Sequence, residues 1–226
     1  MPFDIVDAPT RNYIAEVGRI REARIDDSVD DPMLSFLRET SGDILKGSYV
    51  YKDNYDYIEL SDRKLVPLSY SSSGQQEVVW LLTLLRSYAA LGQKSLIIIE
   101  EPETHLHPDA QYLLVKFIAA FLNNTGSQAI VTTHSPYILS SFNNLLYAAK
   151  RGKEAVNREA VDCIIPMQCW LNDEGFSAFI IEDATLRDIK DEAMAMADVG
   201  ELDVVASMQD AEYEKILNIS KGGSVD

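Results

Sequence analysis

The chain has 226 residues, 46% of them hydrophobic and 25% charged, so it can bury a full core and fits one domain of ordinary size. The formal net charge of −16 opposes bulk, non-specific attraction to nucleic acid, which depends on lysine and arginine. No stretch approaches the roughly 18 consecutive apolar residues of a membrane span, and Met1 to Thr10 lacks the basic start of a signal peptide. We therefore expect a cytoplasmic protein without a membrane partner.

The first 64 residues carry the patterns of two helices and a β-hairpin. Apolar residues at helical spacing predict one helix within 10–25, and Asp31-Pro32 begins a second, short helix. From Ser48 to Leu60 the composition favours two strands on either side of Asp53-Asn54. We interpret residues 1–64 as a helical and hairpin segment of a larger α/β domain.

Residues 65–150 alternate helix and strand patterns, which predicts parallel βαβ units. The predicted elements are, in chain order, a long helix over about 74–91, a strand over 95–99 that is buried on both faces, a helix that begins at His107-Pro108, a strand from Gln128 to Thr133 and a helix capped by Ser135-Pro136. This segment is the predicted core of the domain.

Residues 151–226 are predicted to form a carboxy-terminal β/α part of the same domain. We expect strands at about 161–165 and 176–181, a turn at 172–175 between them, and then an acidic helical tail. Cys163 and Cys169 have neither the CxxC spacing of a redox pair nor that of a zinc knuckle. Both cysteines are therefore expected as reduced, partly buried thiols.

Three carboxylates, Glu100, Glu101 and Glu103, follow strand 95–99 within four residues. In an open parallel sheet the chemistry lies just beyond the carboxyl ends of the strands. Of two adjacent acids at such a point, one can hold a hydrated Mg²⁺ and the other can orient or deprotonate an attacking water. The pattern is that of a Walker B motif, and the alternative is a strand followed by a solvated acidic turn.

Two further motifs accompany this run. The three segments, in chain order, are Ser71-Ser72-Ser73-Gly74-Gln75-Gln76, Ile97-Ile98-Ile99-Glu100-Glu101-Pro102 and Val131-Thr132-Thr133-His134-Ser135-Pro136. They resemble the signature motif, Walker B motif and switch histidine of ABC-type ATPases, and most closely the soluble branch of SMC-like repair ATPases and overcoming-lysogenization-defect (OLD)-like proteins. The resemblance covers about residues 65–142. It implies an α/β P-loop NTPase fold with parallel strands and flanking helices, and ATP and Mg²⁺ as cofactors.

The resemblance gives the signature segment a phosphate-binding role. Ser72, Gly74 and Gln75 would meet the γ-phosphate of ATP held by an opposite protomer. Ser73 with Gln76 fits a capping box at the start of the helix, whose free N–H groups make an anion site. The alternative is an ordinary helix cap after a serine-rich loop.

The resemblance also implies roles for the residues after the two strands. Glu100 would hold the water shell of Mg²⁺, at a position where the family usually has Asp. Glu101 would be the catalytic base, and His134 the switch histidine that contacts the γ-phosphate and the attacking water. His107 would belong to the D-loop, which communicates across the dimer.

Two other functions remain open at this point. His105, His107 and His134, together with the acids, could assemble the metal centre of a metal-dependent hydrolase, since two imidazoles at i and i+2 of an extended segment share a face. A degenerate, non-catalytic ATPase half could instead serve as an interaction module.

The phosphate-cradling Gly-x-x-x-x-Gly-Lys-Ser/Thr loop of such ATPases is missing from the sequence. The nearest string, Gly42 to Ser48, has serine where lysine is required and is followed by a β-rich segment. We therefore predict the carboxy-terminal half of a nucleotide-binding domain. It would act as a homodimer or with a partner chain that carries the loop, unless the sequence is a truncated gene product. A nuclease partner and DNA are suggested by family analogy alone.

Overall fold

The computed structural model describes residues 31–220 apart from 192, 193, 195 and 203, together with the isolated positions 15 and 18. Apart from these two positions, the helix predicted within 10–25 lies outside the described residues. Helix α1 (Pro32–Leu45) begins where Asp31-Pro32 predicts it, and it is longer than expected. The Asp31 side chain accepts hydrogen bonds from the N–H groups of Met33 (2.7 Å) and Leu34 (3.1 Å), which caps the helix.

The predicted hairpin is confirmed. Strands β1 (Ser48–Lys52) and β2 (Tyr55–Glu59) pair antiparallel, and β3 (Leu65–Pro67) adds to β2. The two turn residues, Asp53 and Asn54, both have positive φ, 53° and 66°. These angles suit the tight turn that follows the twist of the strands, and aspartate and asparagine tolerate them.

The central elements follow the predicted order. They are helix α2 (Ser73–Ala90), strand β4 (Leu96–Glu100), helix α3 (Pro108–Thr125), strand β5 (Gln128–Thr132) and helix α4 (Pro136–Gly152). Strands β4 and β5 pair in parallel, with Leu96 opposite Gln128 and Glu100 opposite Thr132. The predicted parallel βαβ arrangement is confirmed for this pair.

Helix α3 lies at the centre of the main core and contacts α1, α2 and α4. Its fully buried residues are Leu114, Val115, Phe117, Ile118, Ala119, Ala120 and Phe121. Proline at its first turn and Gly126, with φ of 66°, at its end define its limits. The α3 helix therefore provides the packing against which the site-bearing loops are held.

The prediction of a strand at 161–165 is wrong. Helix α5 (Ala155–Asp162) includes Val161, whose carbonyl accepts hydrogen bonds from the N–H groups of Ile164 (3.0 Å) and Ile165 (2.9 Å). The chain thus turns locally instead of pairing. A short apolar run does not distinguish a helix end from a strand by periodicity, and Pro166 ends the segment.

The remaining carboxy-terminal elements form two small hairpins and a helix. The predicted strand at 176–181 is present in part as β6 (Phe179–Glu182), which pairs with β7 (Thr185–Asp188), and the predicted turn is a 3-10 turn at Asp173–Gly175. Strands β8 (Lys190–Asp191) and β9 (Met196–Ala197) pair next. Helix α6 (Val204–Ser220) is the predicted helical tail.

The two thiols differ in environment. Cys163 is exposed, whereas Cys169 is buried. Burial raises the pKa of the Cys169 thiol to about 12, since removal from water disfavours the thiolate. None of the helices in the described part is long and apolar enough to cross a membrane.

Gly152 packs directly against the indole of Trp170, so that a Cβ there would overlap the ring. We expect Gly152→Ala to lower the free energy of unfolding by about 1–3 kcal/mol, because the ring or the end of α4 must shift. Urea denaturation monitored by circular dichroism measures the change.

Gly42→Ala is the matched control, because a Cβ at this α1 position meets only the Gly47 carbonyl oxygen, at 3.7 Å. This variant should gain up to about 1 kcal/mol from alanine's higher helix propensity. Equal effects of the two substitutions would contradict the packing assigned to Trp170.

Candidate functional site

Two segments meet at one edge of the sheet because β4 and β5 are parallel. They are the turn after β4 (residues 101–106), which we call the acidic turn, and the loop after β5 (residues 133–135), which we call the histidine loop. The pairing continues past the strands, where the Glu101 N–H donates a 2.9 Å hydrogen bond to the Thr132 carbonyl. The carboxyl ends of parallel strands are where α/β proteins place their sites. The structure therefore brings together Glu100, Glu101 and His134, three residues that the sequence assigned to one site.

Glu101 and His134 face each other at this edge. The His134 Nε2 lies 3.6 Å from the Glu101 Oε1, and the two side chains are 87% and 56% exposed. Glu101 has a φ of 43°, in the left-handed region that a side chain disfavours. Such conformations concentrate at functional sites, where the surrounding structure holds them.

Glu100 lies on a sheet face that is open to solvent. We define the open face by the alternate, exposed residues of the two strands: Leu96, Ile98, Glu100, Gln128, Ile130 and Thr132. Leu96 and Ile98 are both 63% exposed, and Ile130 is 52% exposed. The expectation that β4 is buried on both faces is therefore wrong. Only Ile97 and Ile99 turn towards the core.

The cap of α2 differs by one residue from the predicted one. Ser72, not Ser73, is the capping residue, and its hydroxyl accepts a hydrogen bond from the Gln75 N–H (3.3 Å). The Gln75 Oε1 in turn accepts one from the Ser72 N–H (3.0 Å). Ser73 is therefore the first helical residue, where the N–H has no partner within the helix. Ser72 and Ser73 are both exposed at this helix end.

Gly74 is buried against the turn that follows β4. A Cβ at this position would lie 2.5 Å from the His105 carbonyl oxygen and 3.1 Å from the Leu106 side chain. The His105 Nδ1 also lies 3.1 Å from both carboxylate oxygens of Glu77 on α2. The signature helix and the turn after β4 are thus in direct contact. The lack of room for a side chain thus explains the glycine at position 74 by packing, independently of any role in nucleotide binding.

His107 caps helix α3. Its Nδ1 accepts a 3.4 Å hydrogen bond from the Asp109 N–H and lies 3.5 Å from the Asp109 carboxylate. His105, His107 and His134 therefore have three different carboxylate neighbours. In the part of the chain that the structure describes, no group of three or more His, Cys, Asp or Glu side chains is arranged to hold a metal. The histidine-based metal centre gains no support from this geometry.

Magnesium needs less from the protein than such a centre does. It keeps several waters and is usually bound by one or two carboxylates together with substrate phosphates. An exposed Glu100, opposite Thr132 at the end of the sheet, suits such a partial ligand set. These residues therefore fit a hydrated Mg²⁺ that is shared with a nucleotide.

The rejection of Gly42 to Ser48 as a phosphate loop agrees with the structure. Gly42 lies inside α1, and Ser48 begins β1, so the string does not join a strand to a helix. Sequence reasoning named Glu103 only as a possible ligand of the alternative metal centre, whereas the structure places it against the loop that carries His134. The only signal was its position as the third acid after the strand.

Comparison with known proteins gives an independent result. The family model described as AAA ATPase domain matches residues 21–139, more than half of the chain. Protein ea59 of Escherichia phage lambda is 32% identical over 114 residues, which are 46% of this chain and 21% of that protein. Endonuclease GajA of Bacillus cereus (strain HuB5-5) is 42% identical over 89 residues, which are 32% of this chain and 13% of that protein.

The chain thus spans about a fifth or less of the length of these two relatives. The family match at 21–139 includes the parallel strands β4 and β5 and the loops that follow them. The mixed α/β structure with its parallel strand pair is consistent with a P-loop NTPase. The chain belongs to the AAA ATPase domain family.

Proposed function

We propose that this chain is the ATP-hydrolysing module of an ABC-type, OLD-like ATPase, with its Walker B carboxylates at Glu100 and Glu101. The observation that carries the proposal is the approach of His134 to within 3.6 Å of Glu101 at the carboxyl edge of the parallel strands. A carboxylate and an imidazole so placed can share the orientation and deprotonation of one water molecule.

Each residue has a distinct task in this proposal. Glu101 accepts the proton of the attacking water, and His134 orients that water and the γ-phosphate. Glu100 holds the water shell of Mg²⁺, which when bound neutralises charge on the phosphates. The exposed start of α2 at Ser72 and Ser73 faces the nucleotide of an opposite protomer in a dimer, because helix N-termini attract anions.

The site needs a phosphate loop from a further stretch of polypeptide. Glu100, Glu101 and Glu103 make this edge acidic, which repels the triphosphate of ATP. The loop supplies the N–H groups and lysine that hold the β- and γ-phosphates. Tight ATP binding by this chain alone is therefore not expected.

The open face is our candidate for the surface that receives the loop-bearing segment. Parallel sheets are normally covered on both faces, and a two-stranded sheet is marginal by itself. A strand-loop-helix unit that joins the sheet would run its helix antiparallel to β4 and β5. The N-terminus of that helix would then lie at the Glu100 end, where a phosphate between the helix and Mg²⁺ is best stabilised.

Substitution on the open face tests this docking surface. We expect Leu96→Thr combined with Ile130→Thr to weaken association with a loop-bearing polypeptide by at least about tenfold, because burying each side chain contributes about 1.5–3 kcal/mol. The stability of the chain itself should change little, since the two side chains are already exposed. Titration calorimetry measures the affinity.

Ile181→Thr is the matched control, because Ile181 is a 75% exposed strand residue on the separate β6–β7 hairpin. This variant should bind normally. If the control lost affinity while the open-face variant kept it, the docking surface would be assigned wrongly.

Glu101→Gln tests the catalytic assignment in an assembly of this chain with a loop-bearing polypeptide. The amide keeps the shape of the side chain but cannot accept the proton, so hydrolysis should fall about 10²- to 10⁴-fold. ATP-dependent association should persist. Phosphate release and sedimentation velocity measure the two effects.

Glu174→Gln, at an exposed residue of the 3-10 turn at Asp173–Gly175, controls for the loss of one surface charge. Loss of association in Glu101→Gln with unchanged hydrolysis would disprove the catalytic role of Glu101. The same assay addresses a second candidate, a non-catalytic interaction module, which the missing phosphate loop favours. That candidate predicts no turnover with any loop-bearing partner.

The biological task that we propose is DNA repair or phage defence. The support is the similarity to a protein named as an endonuclease, of which this chain matches 13%. Nuclease chemistry and DNA binding would come from a partner or from sequence outside the matched segment. The net charge of −16 disfavours DNA binding by this module itself, because DNA carries a high negative charge.

A further inference from the structure

Glu103 reaches back from the turn after β4 to the loop that carries His134. Its Oε1 accepts hydrogen bonds from the Thr133 hydroxyl (2.8 Å) and from the His134 N–H (2.7 Å). Both are short bonds to a carboxylate, and charge assistance makes such bonds about twice as strong as neutral ones. One oxygen atom thus holds two consecutive residues of the histidine loop.

Two consecutive turns place Glu103 in this position. The Thr104 N–H donates to the Glu101 carbonyl (3.0 Å), and the Leu106 N–H donates to the Glu103 carbonyl (2.9 Å). The turns start directly at Glu101, so Glu101 and Glu103 belong to one short, internally bonded segment. Movement of Glu103 would therefore move the Glu101 backbone as well.

The contact continues into a buried network. The Thr133 hydroxyl, which donates to Glu103, accepts a bond from the Ser135 N–H (3.0 Å). The Ser135 hydroxyl donates to the Gln111 Oε1 (2.6 Å), and the Gln111 side chain donates to the Leu106 carbonyl (2.9 Å). Ser135 and Gln111 are both only 7% exposed. The network closes a ring from the acidic turn through the histidine loop and α3 back to the turn.

We propose that Glu103 is a positioning residue that fixes the backbone of His134 relative to Glu101. The assignment of a catalytic purpose to this geometry rests on the proposed ATPase function. Thr133 and His134 are the first two residues after β5, where the hydrogen bonds of the sheet no longer hold the chain. The 3.6 Å approach of the His134 ring to Glu101 therefore depends on the bonds that Glu103 makes.

A positioning role and a catalytic role for Glu103 depend on different properties of its carboxylate, and substitutions can distinguish them. Its Oε2 is buried, and among the described residues no hydrogen bond reaches it. Glutamine at this position can keep its Oε1 as the acceptor for Thr133 and His134. A role in positioning needs that acceptor, whereas a role in metal binding or proton transfer needs the charge. Glu103→Gln should therefore retain function, and Glu103→Ala should lose it.

The first experiment uses the chain alone. In ¹⁵N-labelled protein, Glu103→Ala should increase the amide hydrogen-exchange rate of His134 about 10- to 100-fold and move its amide proton resonance upfield. Glu103→Gln should change both much less, because the amide keeps the acceptor and loses only the assistance of the charge. Asp31→Ala is the matched control, because the Asp31 carboxylate also accepts two backbone N–H bonds, at the start of α1. It should lose comparable stability and leave His134 unchanged.

The second experiment uses the assembly with a loop-bearing polypeptide. Glu103→Ala should lower kcat for ATP hydrolysis about 10- to 100-fold, with a KM change of less than about threefold, because misplacement affects the reaction more than binding. Glu103→Gln should stay within about threefold of the unsubstituted assembly. Circular dichroism with Asp31→Ala as reference shows whether a loss reflects unfolding.

The outcomes separate the two proposals. Unchanged His134 exchange in Glu103→Ala, or equal losses in the alanine and glutamine variants, would overturn the positioning role. The expected exchange result together with no ATPase activity in the unsubstituted assembly would overturn the proposed function and leave the positioning of His134 standing.

Discussion

The parallel pairing of β4 with β5 determines where the candidate site of this chain lies. Five register pairs, from Leu96 with Gln128 to Glu100 with Thr132, align the two carboxyl ends. The α3 helix between them provides the crossover that a parallel pair requires, and its residues 117–121 are all buried. Because the strands end in register, the residues that follow them leave the sheet side by side. A slip by one residue would turn Glu100 towards the core and Ile99 towards solvent.

In the described residues, β4 and β5 pair in register with each other, but their sheet is covered on one face only. Ile97 and Ile99 contribute to the core, while Leu96, Ile98 and Ile130 face water. It is unusual for such an apolar sheet face to be exposed to solvent. The same face is ordinary in a parallel sheet that a helix covers. Under our proposal, the missing phosphate-loop motif and the open face both reflect the need for a further segment of polypeptide. One appears in the sequence, and the other appears only once exposure is known.

Local signals allowed most of the fold to be predicted. The Asp53-Asn54 pair, the capping residue Asp31 and the helical spacing of α3 each carry a short-range physical cause. The prediction of a strand at 161–165 was wrong because a five-residue apolar run has no period of its own. Burial of β4 on both faces was also wrong, since a buried strand and a half-covered one can have the same composition.

The residues of the candidate site could be predicted from the sequence, but the hydrogen bonds between them could not. The acids and His134 could be named from spacing and resemblance, and the structure brings them to one edge. The cap at Ser72 was missed by one residue, because a run of three serines offers equivalent hydroxyls. The bonds of Glu103 to Thr133 and His134 join positions 30 and 31 residues apart. Such a contact depends on tertiary structure, which the sequence pattern does not encode locally.

The backbone of Glu101 places fold stability and chemistry in opposition. Glycine adopts a φ of 43° without strain, whereas a residue with a side chain there lowers the free energy of unfolding by about 1 kcal/mol. Random variation screened only for thermal stability would therefore enrich glycine at the position that we assign to the catalytic base. The most stable version of this chain and the most active one would be different proteins.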